Sequence, residues 1–288
     1  MKKLMFAAAV AAGLVAFGEG IESANTVGYQ TMDLTAGKQV MKGAMFISVG
    51  DASLSLQDIR MDTATLADGS TRIWWWDKNT YKYTSAFWCP ACNADGDYID
   101  ASGTVVQNEA DAALVWGDQS TWVAIEKTFA PGEGFWIQPD SGASSPAVSI
   151  AGELATTDPT VQYVTVNLTA GKQVQFTQPM PVGTFGLQTV KFTGALADGS
   201  SRVWWWNKDT YKYTSAFWCP ACNADGDYID ASGNVVQNEA DAALVWGDQS
   251  TWEPIEKTFD AGEAFWVQPD SGASAPVIAF PNPLYVAQ

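Results

Sequence analysis

The chain has 288 residues, with 32 acids against 15 bases, four cysteines and no histidine. A formal charge of −17 repels nucleic-acid backbones and anionic lipid headgroups, and the basic footprint of a nucleic-acid binder is missing. Cations and neutral polymers are easier partners. Without histidine there is no Ser-His-Asp or Cys-His catalytic arrangement and no His-ligated metal.

The first twenty residues, MKKLMFAAAVAAGLVAFGEG, have the order of a secretory signal. Lys2 and Lys3 form the charged start, and Leu4 to Phe17 an apolar run too short to span a bilayer comfortably. Gly18 and Gly20 offer cleavage after Gly20, with Ala24 as a second site. No later stretch is long and apolar enough to cross a membrane as a helix. The mature chain is therefore expected in a bacterial cell envelope, at the cell surface or outside, where cysteines tend to pair.

The remainder is one module written twice. TVGYQTMDLTAGKQV, from Thr26, returns as TVQYVTVNLTAGKQV from Thr160. Leu66 to Trp122 returns at Leu196 to Trp252 with five mild differences: Thr71/Ser201, Ile73/Val203, Asp77/Asn207, Asn79/Asp209 and Thr104/Asn234. APGEGFWIQPDSGAS, from Ala130, returns as DAGEAFWVQPDSGAS from Asp260. This divides the chain into modules at 25–150 and 161–288, joined by a small, polar linker at 151–160. Two copies offer two equivalent surfaces, hence avidity on a multivalent partner.

Within each module the pattern is of strands. RIWWWDKNTYKYTSAFW reads as strand, turn, strand, with Asp77, Asn79 and Thr80 supplying turn chemistry. GTVVQ, STWVAIEKTF and GEGFWIQP read as further short strands, and only VVQNEADAALVWG hints at a helix. The expected fold is all-β: two tandem homologous domains, each a β-sandwich or open barrel.

Alternation along Ile73-Trp74-Trp75-Trp76 puts Trp74 and Trp76 on one face and Ile73 with Trp75 on the other. One face must be core, and the opposing strand brings Tyr81, Tyr83, Phe87 and Trp88 for cross-strand pairing. Rings left exposed would stack on sugars, which makes Trp74, Trp76, Trp88, Trp204, Trp206 and Trp218 the candidate ligand platform.

Trp88-Cys89-Pro90-Ala91-Cys92 superficially resembles the W-C-x-x-C of thioredoxin-like oxidoreductases. That chemistry needs a helix N-terminus to lower the thiol pKa, and NADGDYIDASG is a poor helix. Zinc would need two half-sites about 130 residues apart to meet. The leading expectation is a staple in each copy, Cys89–Cys92 and Cys219–Cys222, with redox and zinc chemistry as alternatives. After each pair comes an acidic loop: Asn93, Asp95, Asp97 and Asp100, and again Asn223, Asp225, Asp227 and Asp230. Such a loop suits calcium better than zinc, although it lacks the closing bidentate Glu of an EF-hand. A solvated turn is its plainer reading. Glycoside hydrolysis needs two placed carboxylates, and nothing marks a pair. Glu133 reads as a residue beside a strand turn.

ESANTVGYQT, the LTAGKQ turn, the tryptophan-rich hairpins, DYIDASG and the late PGEGFWIQ strand together resemble a group of secreted tandem-module proteins of planctomycete and verrucomicrobia-group bacteria. The second copy departs from that pattern, reading TVQYVT and AGEAFW. The resemblance implies secreted β modules in a cell-surface or extracellular setting and brings no catalytic residues. The expected function is a non-enzymatic, structural or adhesive protein that associates with itself or with a cell-surface polymer. A glycan-binding protein comes second, and a metal-dependent module or glycan-active enzyme third.

Overall fold

The computed structural model describes residues 27–62, 67–77, 79–154, 158, 160–180, 183–207 and 209–286. The segment read as an export signal lies outside them.

The fold is all-β and antiparallel. The first repeat supplies β1 (Val27–Asp33), β2 (Val40–Gly43), β3 (Phe46–Ile47), β4 (Leu54–Ser55), β5 (Ile59–Met61) and β6 (Arg72–Asp77). It continues with β7 (Lys82–Pro90), β8 (Leu114–Gly117), β9 (Thr128–Phe129), β10 (Gly134–Gln138) and β11 (Ala147–Leu154). The second supplies β12 (Tyr163–Asn167), β13 (Val174–Phe176), β14 (Thr184–Gly186), β15 (Lys191–Thr193) and β16 (Arg202–Asn207). It ends with β17 (Lys212–Pro220), β18 (Leu244–Gly247), β19 (Thr258–Asp260), β20 (Phe265–Gln268) and β21 (Val277–Pro281).

Each repeat builds a five-stranded sheet, in the orders β2-β10-β6-β7-β8 and β13-β20-β16-β17-β18. A smaller sheet covers each: β1-β11-β3 with β5 also on β11, and β12-β21-β15. Strand alternation makes the larger sheet two-faced. Ile73 pairs with Ile137 and Ala86, and all three are fully buried with Trp75, Trp88 and Phe135. Val148 and Ile150 of β11 close that core from the smaller sheet. The second core repeats it with Val203, Val267, Ala216, Trp205 and Trp218, closed by Ile278 and Phe280.

A glutamine fixes the outer strand of each large sheet. Gln57 Nε2 donates to the carbonyls of Trp116 and Ile125 at 2.9 and 3.1 Å, and its Oε1 accepts from the Trp116 amide. Gln188 does the same with Trp246 and Ile255. The Trp116 indole donates to the Ile59 carbonyl at 2.6 Å, so a fully buried ring has its one donor satisfied.

Several expectations change. The helical reading of VVQNEADAALVWG gives way to a short 3₁₀ turn at Glu109–Asp111 followed by β8. Asn108, Glu109 and Asp111 favour a local turn, and the strand β7 captures Leu114–Gly117 in register. GTVVQ forms only a bridge between Val105 and Ile99, and of STWVAIEKTF only Thr128–Phe129 is strand. The linker starts later than its composition suggests, because Glu153 and Leu154 still pair with Ile47 and Phe46.

The repeats join edge to edge. Lys42 bridges to Glu263 and, at the equivalent position, Phe176 to Glu133. Ala264 N donates to the Met41 carbonyl at 3.2 Å, and Thr177 N to the Gly132 carbonyl at 2.8 Å. Gly132 (φ 81°) has no room for a side chain, since a Cβ there would lie 2.1 Å from the Phe176 ring. Gly103 has a similar φ of 79° and open space around it. Gly103→Ala should therefore lower stability by about 1–2 kcal/mol, the cost of the left-handed backbone alone. Gly132→Ala should lose roughly 1–3 kcal/mol more, because the ring must move. Denaturant melts of the full chain compare the two, and equal losses would refute the packing of this loop on the other repeat.

Candidate functional site

The face of β6 turned away from the core carries the candidate site. Register sets Trp74 between Trp136 and Ser85, and Trp76 beside Tyr83. In the second repeat Trp204 lies between Trp266 and Ser215, and Trp206 beside Tyr213. Trp74 stacks on Trp136 at 6.0 Å, and Trp204 on Trp266 at 5.9 Å, each pair tilted by only 10°. The two faces then meet edge to face: Trp76 on Trp266 at 5.7 Å and Trp206 on Trp136 at 5.8 Å, both at 81°. Perpendicular contact sets the positive ring edge on the negative face. The exchange is reciprocal, so the seam relates the repeats as an approximate two-fold would.

This placement corrects the platform reading for two of the six candidate rings. Trp88 and Trp218 are core residues, 2% and 4% exposed, packed on Trp116 and Trp246. Trp74, Trp76, Trp204 and Trp206 are half-buried in the seam. Trp74 is covered on both sides, by Trp136 and by the Arg72 guanidinium 4.5 Å from its ring centre. Arg202 lies 4.8 Å over Trp204 in the same way.

Tyrosines and lysines border the seam. Lys172 of the second repeat sits 4.5 Å over Tyr81 of the first, and Lys38 of the first sits 4.8 Å over Tyr211 of the second. Tyr81 and Tyr211 close their hairpin turns in the left-handed region, at φ 54° and 53°. Tyr83 reaches across to Trp266 at 6.4 Å. Burial pushes the Tyr83 phenol up to about 12, a hydrogen bond with Trp136 opposes the rise, and the nearby Tyr213 adds to it. Arg72, Trp74, Tyr83 and Ser85 line a hollow of about 210 Å³. A larger hollow of about 590 Å³ lies elsewhere, walled by Pro90, Ala110, Ala112 and Leu114 with Asp68 and Glu109.

The cysteines are not bridged. Cys89, Cys92, Cys219 and Cys222 are all free and buried, in place of the expected staples. Burial pushes the Cys89 thiol up to about 11; a hydrogen bond from the Gly117 backbone opposes this, while Cys92 and Asp118 add to it. Cys219 is raised to about 11 by the same causes, and Cys92 and Cys222 are raised by burial and nearby acids. A dithiol oxidoreductase needs the opposite shift.

The acidic loops spend their side chains on turns. Asn93 Oδ1 accepts from the amides of Asp95 and Asp97 at 3.0 and 2.9 Å, as Asn223 does from Asp225 and Asp227. Asp100 accepts from the amides of Ser102 and Thr104, and Asp230 from those of Ser232 and Asn234. Hydrogen bonds from Ser102 and Thr104 hold the Asp100 carboxyl below its usual range. Among the described residues no group of three or more acids or cysteines is placed to hold a metal ion. Glu133 takes the Lys127 ammonium at 2.7 Å and the Ala130 amide at 3.0 Å, the turn role its sequence suggests.

Sequence reasoning missed Arg72, Arg202, Lys38, Lys172, Tyr83 and Tyr213 as a group. The available signal was that two of only three arginines stand at the same repeat position in an acidic chain. Neither a protein-family model nor a curated protein matches this chain.

The raised thiols favour the folded state while protonated. Their contribution is complete below about pH 9, the ordinary range of a thiol, and is lost as pH rises through about 11. Thermal melts should therefore fall between pH 9 and 11. The fall should be shallower in the Cys89→Ala/Cys219→Ala variant, and an unchanged slope would contradict the assignment.

Proposed function

We propose that the chain is an exported, non-enzymatic protein of the cell surface or extracellular matrix, with a structural or adhesive role. On this reading it consists of two duplicated β-sandwich modules acting as one body. The observation that carries it is the reciprocal tryptophan seam. Aromatic area that an independent glycan-binding module would leave open is used to fix one repeat on the other. A fixed pair of similar modules presents its surfaces at constant spacing, which favours binding to repetitive or multivalent partners.

The buried thiols with suppressed ionisation argue against redox catalysis, and the turn-bound Asn93 and Asp100 argue against a tight calcium site. Carbohydrate binding stands second, favoured by the tyrosines left exposed along the seam, Tyr81, Tyr83, Tyr211 and Tyr213. The protein should be recovered from the envelope or medium of the producing cell with its first 20 residues removed. Cell fractionation with intact mass measurement tests this. A full-length chain confined to the cytosol would end the proposal.

A further inference from the structure

Four of the fifteen basic side chains lie over aromatic rings along the seam, where tyrosines are exposed. Arg72 and Arg202 lie on tryptophan faces at the two sides of the seam, and Lys38 and Lys172 lie on the tyrosines of the opposite repeat. All four cations are exposed. None is in an ion pair, for among the described residues the ion pairs are Lys127–Glu133 and Lys257–Glu263. Between the cations Tyr83 and Tyr213 are 46% and 47% exposed. Ser85 and Tyr83 line the hollow beneath Arg72 and add hydroxyls to it. Asp77, at the end of β6, spends its carboxylate on the Asn79 and Thr80 amides, and the acids of the next loop begin beyond Pro90, seven residues along β7 from Tyr83, roughly 23 Å at strand rise. The Debye length is about 8 Å at physiological salt, so those acids are largely screened from the strip's centre.

We infer that this strip is a binding surface for an acidic polysaccharide, a polymer of uronate-type sugars. Arg72 lies flat on its indole and presents in-plane donors that match a carboxylate, while Arg202 donates Nε and Nη2 to Gln268 Oε1 at 3.3 and 3.0 Å and keeps Nη1 for a ligand. The exposed phenol rings suit the apolar faces of pyranoses, and the serine and tyrosine hydroxyls suit their hydroxyl groups. The approximate two-fold repeats the same arginine, tyrosine and serine on each side of the seam, so a polymer finds two similar subsites, the stronger one at Arg72. The inference names the partner of the adhesive role proposed above and rests on that reading.

The test is calorimetric titration of the mature chain with polygalacturonate oligomers and with their methyl esters. The free acid should bind at about 0.05 M salt and weaken at least tenfold at about 0.5 M, as screening predicts. The ester should bind far more weakly. Arg72→Gln/Arg202→Gln should reduce affinity at least tenfold, and so should Tyr83→Ala/Tyr213→Ala, with thermal melts confirming that each variant folds. No binding of the acid, equal binding of the ester, or unchanged affinity in both variants would overturn the inference. Self-association of the chain abolished by the arginine variant would also overturn it, in favour of an acidic segment of a second copy. Surface localisation without polyuronate binding removes this inference alone, whereas cytosolic retention removes the reading beneath it.

Discussion

Everything here depends on the strict alternation of one short strand. In Arg72–Asp77 every second side chain must point the same way, so three consecutive tryptophans cannot share a fate. Trp75 goes inward with Ile73 and meets Phe129 edge-on at 5.9 Å, anchoring a core. Trp74 and Trp76 go outward, where two adjacent indoles are too much apolar area to leave in water. The second repeat supplies the cover, because its β16 presents the same surplus. The seam is what two such faces make of each other.

The cost of that arrangement is visible. The indole N–H groups of Trp76 and Trp206 are buried in the seam without an acceptor. An unsatisfied buried donor costs about 1–3 kcal/mol. Four half-buried tryptophans, with Met41, Trp136, Ala264 and Trp266 fully enclosed, offset it through area and through stacked and edge-on ring contacts. The arginines and lysines then lie on the outermost rings, where a cation gains from the ring face and keeps its head in water.

How far this could be read from sequence depends on the range of the interaction. The hairpin of β6 and β7, and the split of Ile73 and Trp75 from Trp74 and Trp76, follow from local alternation and turn chemistry, and both were legible. GTVVQ looks like a strand because its residues have the propensity, yet it lacks a partner of matching register and stays a bridge. Trp88 could not be told from Trp74 by composition; its place opposite Trp116 decides that it is core. The lysines over rings belong to turns far away in the chain, as with Lys172 and Tyr81, and no local pattern announces such a meeting, whereas Arg72 over Trp74 follows from i, i+2 alternation on one strand. The cysteine pairs made a staple the leading expectation, while the folded chain leaves all four thiols free and buried.

The edge contact at Gly132 has a consequence for kinship between the halves. Phe176 occupies the hollow that Gly132 leaves, while the matching position in the first repeat is Lys42. Gly262 makes the return contact with Met45 and Met32, residues the second repeat replaces with Pro179 and Val166. Two first halves brought together would press an ammonium group where an aromatic ring belongs. At this edge contact each half therefore fits the other better than a copy of itself.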